Sequence, residues 1–165
     1  MRPTAFHHLA IQVRDLARAE RFYAGILGLT VVRRWPWPAE LQGESGRAGE
    51  RALWLSLAPP KSVPPPPGGA PAPQSSAPGT LPDALLAAGF LALEACDAEV
   101  APRPFKDPAP GLHLLALRVP ASERAAWEEY LTARAVPVVH RSRWTLYVQD
   151  PEGNRIALSH HPDDP

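Results

Sequence analysis

The chain has 165 residues, enough for one well-buried domain or for two small modules sharing a core. Lys plus Arg equals Asp plus Glu at 17 each and no basic stripe stands out, which argues against nucleic acid or an anionic membrane surface as partner. A single cysteine, Cys96, leaves no intrachain disulfide and fits a reducing compartment, and no segment reaches the roughly 18 apolar residues of a membrane span, so the expectation is a cytoplasmic protein.

From His7 to Val13 the residues alternate with period two. Leu9, Ile11 and Val13 point one way and need an apolar cover, while His8, Ala10 and Gln12 point the other and could line a pocket. The period then changes. After Asp15, a natural N-cap, Leu16, Ala19, Phe22, Tyr23, Ile26 and Leu27 recur at helical spacing, and Gly28 supplies the stop. Leu29–Trp35 predicts a second strand, ended by Trp35-Pro36-Trp37-Pro38 because two prolines so close together do not fit a central strand. Trp35 and Trp37 are expected on the core or on the rim of a pocket. Ala39–Gly49 reads as a turn and Arg51–Ala58 as a third strand. From Pro59 to about Pro82 the composition shifts to Pro, Gly, Ala and Ser, too poor in apolar surface to offset its ordering entropy, so an exposed loop is expected. Asp83–Ala88 suggests a brief helical turn, and Phe90–Cys96 a fourth strand with Glu94 on the same face as Ala92.

After a proline-rich linker, Asp97–Pro110, a second copy of the opening pattern begins at Gly111. His8 aligns with Leu114, Ala10 with Ala116, Gln12 with Arg118 and Val13 with Val119. A strand Leu112–Val119, a helix from about Ser122 to Ala135 with Trp127, Tyr130 and Leu131 on its buried side, and strands Val136–Arg141, Trp144–Gln149 and Arg155–His160 follow. The turn Asp150-Pro151-Glu152-Gly153-Asn154 reads as structural. The expectation is an α+β chain of two tandem βαβββ modules, 1–98 and 99–165, each curling a mixed sheet around part of a ligand cup.

HHLAIQVRDLARAERFYAGILGL near the start and WTLYVQDPEGNRIALSHHP near the end resemble the vicinal oxygen chelate superfamily of glyoxalases, extradiol dioxygenases, fosfomycin-resistance enzymes and bleomycin-binding proteins. The fold hosts many chemistries. The resemblance implies a small-molecule ligand, a homodimer or an intrachain pairing of modules, and, in the enzymes, a divalent ion (Fe, Mn, Ni, Co or Zn) held by His and Glu from the first and fourth strands of each module. Carried over residue by residue, His8 takes the first-strand position and Glu94 falls at or within one residue of the fourth-strand position. In the second module Leu114 and Ala157 replace the usual ligands. His113 would join the set only if a bulge near Gly111 turned it inward. His160 and His161, near the end of the last strand, could compensate for the missing ligands, but a terminal His-His pair is more often a solvated tail. Glu94 could act instead as a general base, with Tyr147 as a further catalytic group and Gln12, Trp54, Arg118 and Arg143 contacting substrate. Two readings follow from the resemblance: a glyoxalase-, lyase- or dioxygenase-type enzyme, and a non-catalytic protein that sequesters a planar ligand by tryptophan stacking.

Overall fold

The computed structural model describes residues 6–41, 49–56, 89–96, 101 and 111–162. The loop expected at Pro59–Pro82, the turn at Asp83–Ala88 and all of the linker but Ala101 lie outside the described residues. The chain divides into two compact units, Met1–Ala98 and Glu99–Pro165. No described helix is long and apolar enough to cross a membrane.

In the first unit the opening alternation forms β1 (His8–Val13). Asp15 then caps the helix as expected, its carboxylate accepting from the Arg18 N–H at 2.8 Å. The helix changes pitch along its length: an α turn, α1 (Leu16–Glu20), widens into a π-helical stretch over Arg21–Ile26. The Leu27 N–H reaches the carbonyl of Phe22 at 2.9 Å, the five-residue span of a π turn. Successive side chains diverge less in a π turn than in an α turn, and the adjacent Phe22 and Tyr23 are both buried. Gly28, at φ 76°, ends the helix.

Three further strands, β2 (Thr30–Pro36), β3 (Glu50–Ser56) and β4 (Phe90–Ala95), complete a sheet ordered β1-β4-β3-β2. β1 runs parallel to β4 and the other pairs are antiparallel. Ile11, Val13, Leu53, Leu55, Leu91 and Leu93 are buried on the face that α1 covers, and Ala19, Phe22 and Tyr23 of the helix are buried as well. β2 carries a β-bulge: Val31 pairs with Leu55 and Arg33 with Trp54, so Val32 is the extra residue. Beyond the bulge Arg34 returns to the helix side. There it donates to Glu50 Oε2 at 2.7 Å and to Glu20 of the helix. The Glu20 hydrogen bond, ahead of the opposing effect of burial, raises the guanidinium pKa above its usual value, so its charge persists throughout the neutral range. These groups are about a third exposed, which limits each pair to about 0–1 kcal/mol.

The second unit repeats the order: β5 (Leu115–Arg118), a 3-10 turn Ala121–Glu123, α2 (Arg124–Ala133), β6 (His140–Arg141), β7 (Thr145–Gln149) and β8 (Arg155–Ser159), in a sheet ordered β5-β8-β7-β6. Arg141 reaches from β6 to Glu128 of α2, its Nε donating at 2.6 Å, as Arg34 reaches Glu20 in the first unit. β6 is far shorter than the expected Val136–Arg141, because Pro137 has no N–H for a ladder and Ala135 stands in the left-handed region at φ 55°. His160 also departs from expectation. It is fully buried, whereas His161 is exposed. It continues the inward parity of Ile156 and Leu158, and its N–H bonds the Trp144 carbonyl at 3.0 Å. The turn after β7 is locked by Asp150, which is buried and accepts from the backbone of Glu152 and Asn154 and from the Asn154 amide at 2.8–2.9 Å.

Ala135 closes α2 with two bonds, Val136 N–H to the Leu131 carbonyl and Ala135 N–H to the Thr132 carbonyl, each 3.0 Å. This is a Schellman cap with alanine at the position that favours glycine. Ala135→Gly is therefore expected to raise unfolding free energy by about 0.5–1 kcal/mol, since relief of the left-handed alanine outweighs the extra freedom glycine gives the unfolded chain. Urea denaturation followed by circular dichroism checks it; an unchanged or lowered midpoint would contradict the cap.

Candidate ligand site

Strand registers set three rows of side chains across the first sheet on the face away from α1. The first row holds His8, Phe90 and Ser56; the second Ala10, Ala92, Trp54 and Arg33; the third Gln12, Glu94, Ala52 and Trp35. Strict alternation from Val31 would have sent Arg33 to the helix side. The bulge at Val32 places both Val32 and Arg33 on this face.

The rings of these rows form a continuous layer. His8 stacks on Phe90 with centroids 5.0 Å apart and planes 12° from parallel; Phe90 lies 4.5 Å from Trp54, and Trp54 lies 5.2 Å from Trp35. The Arg33 guanidinium sits 4.9 Å from the Trp35 ring centre and 5.6 Å from that of Trp54. His7 joins from the chain end, its Nδ1 2.7 Å from Nδ1 of His8, a contact that needs one ring as donor and the other as acceptor. Gly89, at φ 73°, lets β4 begin against this group: a Cβ there would lie 2.8 Å from the Phe6 ring. Phe90 and Ala92 are buried, and the half-buried Val32 and Trp54 pack against them.

The β1 side of the same face is uncovered. His8, Ala10 and Gln12 are exposed, as is Glu94. Ala10 is thus a low floor with an imidazole at one end, an amide and a carboxylate at the other, and the ring layer alongside. The two ends are four residues apart, about 13 Å at the usual strand rise.

The second sheet repeats the middle row with other ends. Ala116, Ala157, Tyr147 and His140 align across β5, β8, β7 and β6, the counterparts of Ala10, Ala92, Trp54 and Arg33. Arg118 pairs with Ser159, which hydrogen-bonds Thr145 at 2.9 Å, and the Arg155 guanidinium lies 4.3 Å from the centre of the Tyr147 ring. Each unit therefore carries two alanines beside an aromatic residue, flanked by acid and amide in the first and by guanidinium groups in the second.

Of the residues singled out by sequence, His8, Gln12, Trp54 and Glu94 share one face of the first unit, and Arg118 and Tyr147 one face of the second. Arg143 stands outside the strands with its guanidinium 5.3 Å from the Trp144 ring, and His113 precedes β5 and is exposed. His8 and Glu94 share the hollow but not a coordination sphere: His8 pairs with Phe90 and Glu94 with Gln12. A divalent ion needs donors converging to about 2.0–2.2 Å. Beside His8 the fourth strand offers Phe90 and Ala92, and among the described residues no group of three His, Cys, Asp or Glu side chains is placed to hold an ion. Among the described residues, neither unit by itself brings such a set of donors together. Sequence reasoning missed Phe90 and Arg33. Phe90 becomes visible only once the parallel register is known, and Arg33 only with the bulge.

The model of the Glyoxalase/Bleomycin resistance protein/Dioxygenase superfamily matches residues 5–158, and the chain belongs to that family. Among solved structures, the fosfomycin resistance protein FosX of Listeria monocytogenes, determined with Mn(II) and a dihydroxypropylphosphonic acid, is 12% identical with a TM-score of 0.59, covering 96% of this chain and 94% of its own. A glyoxalase/dioxygenase from Nostoc punctiforme is 18% identical (TM-score 0.54; 93% and 88% covered), and the trypanothione-dependent glyoxalase I of Leishmania major is 17% identical (0.56; 95% and 86%). At such identities the likeness is one of fold. A search of curated protein sequences finds no match.

Proposed function

We propose that the chain binds a small, oxygen-bearing organic molecule with a flat face, seated over Ala10 against the ring layer and contacted at its ends by His8 and by Gln12 with Glu94. The observation that carries this reading is the unbroken series His8, Phe90, Trp54 and Trp35 beside an exposed alanine floor. Rings packed on one another offer a broad apolar surface at little entropic cost, and the few polar groups around it fix orientation. Retention of the ligand unchanged, as in a sequestering protein, is the favoured form, because the imidazole and the carboxylate stand too far apart to act on one atom.

A catalytic reading rests on Glu94, an exposed carboxylate beside the Gln12 amide, as general base in a glyoxalase- or lyase-type reaction. One experiment separates the two. Planar phenolic and quinone compounds are titrated against tryptophan fluorescence, and each binder is recovered and identified by mass spectrometry. Unchanged compound is the expected result; a product whose formation stops in Glu94→Gln would establish the catalytic reading. Metal analysis of protein purified without a histidine tag is expected to find less than stoichiometric Fe, Mn, Ni, Co or Zn. One equivalent that is lost in His8→Ala would overturn the metal-free form.

A further inference from the structure

We infer that Glu94 and Gln12 select a ligand with an N–H donor edge, so that the molecule bound over Ala10 is a planar heterocycle of the 2-amino-4-oxopyrimidine type, single or fused. The inference rests on the stacking reading above and names the substrate class of that site. Its ground is a lateral pair of side chains. β1 and β4 run parallel in a register that sets Gln12 beside Glu94, one row beyond Ala10 and Ala92. Alternation puts both on the face where the His8 and Phe90 rings stack, and both are exposed. Neither side chain makes a hydrogen bond or an ion pair with another described residue. The second unit carries the same two alanines, Ala116 and Ala157, but has Arg118 beside Ser159 in the corresponding row. The pairing of acid with amide next to an alanine floor is therefore particular to the first unit.

A carboxylate only accepts hydrogen bonds, and an amide accepts at its oxygen. The ligand edge that meets this pair is therefore a donor edge. A ring N–H beside an exocyclic amino group presents two parallel donors in the ring plane, as a guanidinium does, and one carboxylate takes both. The amino group keeps a second hydrogen, directed sideways. Gln12, one strand spacing of about 4.8 Å from Glu94, supplies an amide oxygen to accept it. Ala10 lies two residues back along β1, about 6.6 Å, so the ring that bears this edge lies over the alanine floor. An acidic group at the same end would set carboxylate against carboxylate.

The test titrates three probes against the full chain by calorimetry and by tryptophan quenching. The first, 2-aminoquinazolin-4-one, is neutral and carries the donor edge. The second, 2-methylquinazolin-4-one, is its isostere without the amino group, and the third, N-methylquinolinium, is a flat cation without an N–H. The wild type is expected to bind the amino compound about tenfold or more tightly than either of the others, the size expected for hydrogen bonds to a charged group. Glu94→Gln should cut that preference to below about threefold while leaving the methyl compound within about threefold of its wild-type affinity, and Gln12→Leu should remove part of it. Thermal unfolding of each variant establishes that the sheet remains folded. Equal affinity for the amino and methyl compounds in the wild type, or a preference that survives in Glu94→Gln, would overturn the assignment and leave the stacking site standing. N-methylquinolinium bound as tightly as the amino compound would overturn the donor edge in favour of plain cation binding. Failure of all three probes to bind would overturn the stacking site and this inference together.

Discussion

Replacing Leu93 by alanine is expected to lower unfolding free energy by about 2–5 kcal/mol, the range for emptying a fully buried leucine position. Leu93 has no exposed surface and lies in β4, which is bonded to β1 on one side and to β3 on the other. Its side chain lies among the buried residues Ile11, Leu53, Leu55 and Leu91 on the face that α1 covers, so the space left by truncation is walled by a sheet and a helix that cannot both move in. The urea midpoint should fall with little change in slope, and the thermal midpoint by about 2–4 °C for each kcal/mol. Because Leu93 faces away from the ring layer, ligand affinity measured well below the transition should stay as in the wild type. A loss under 1 kcal/mol would mean that β4 is not the centre of this core.

Trp54→Ala should have the opposite profile, a large effect on binding and a smaller one on stability. Trp54 touches Phe90, Trp35 and Arg33, and it is half-buried in contrast to the sealed Leu93. Its removal breaks the layer in the middle and uncovers Ala92, which is 1% exposed. With stacking contributing about 0.5–1.5 kcal/mol beyond buried area, affinity for a flat ligand should drop roughly 10- to 100-fold. Trp54→Phe should recover part of it, and Trp54→Ala should remain folded by circular dichroism. Unchanged affinity in Trp54→Ala would remove the ring layer from the site.

The sequence made the two faces of each sheet legible because burial on one side imposes a strict period of two. Ile11 and Val13 against His8 and Gln12, or Leu53 and Leu55 against Trp54, can be read without coordinates. The repeat between the modules was equally open, down to the alignment of Ala10 with Ala116. Three things were not. Register between strands distant in sequence is set by packing, so the pairing of Glu94 with Gln12 rather than with His8 could not be read from local pattern. The bulge in β2 lies in the run VVRRW, whose β-branched and charged residues suit an unbroken strand equally well, and so the roles of Arg33 and Arg34 were hidden. The third is the end of β8, where His160 looked like a polar tail. Tertiary packing overrode its composition and placed the imidazole in the core.

The rings of the first sheet are packed on one another before any ligand arrives, and the ground beside them on β1 is already bare. A molecule entering there meets a surface that has nothing to rearrange, so encounter alone should govern capture. In stopped-flow mixing the observed rate should then climb in proportion to ligand concentration without reaching a plateau, and differences among ligands should reside in how slowly each escapes.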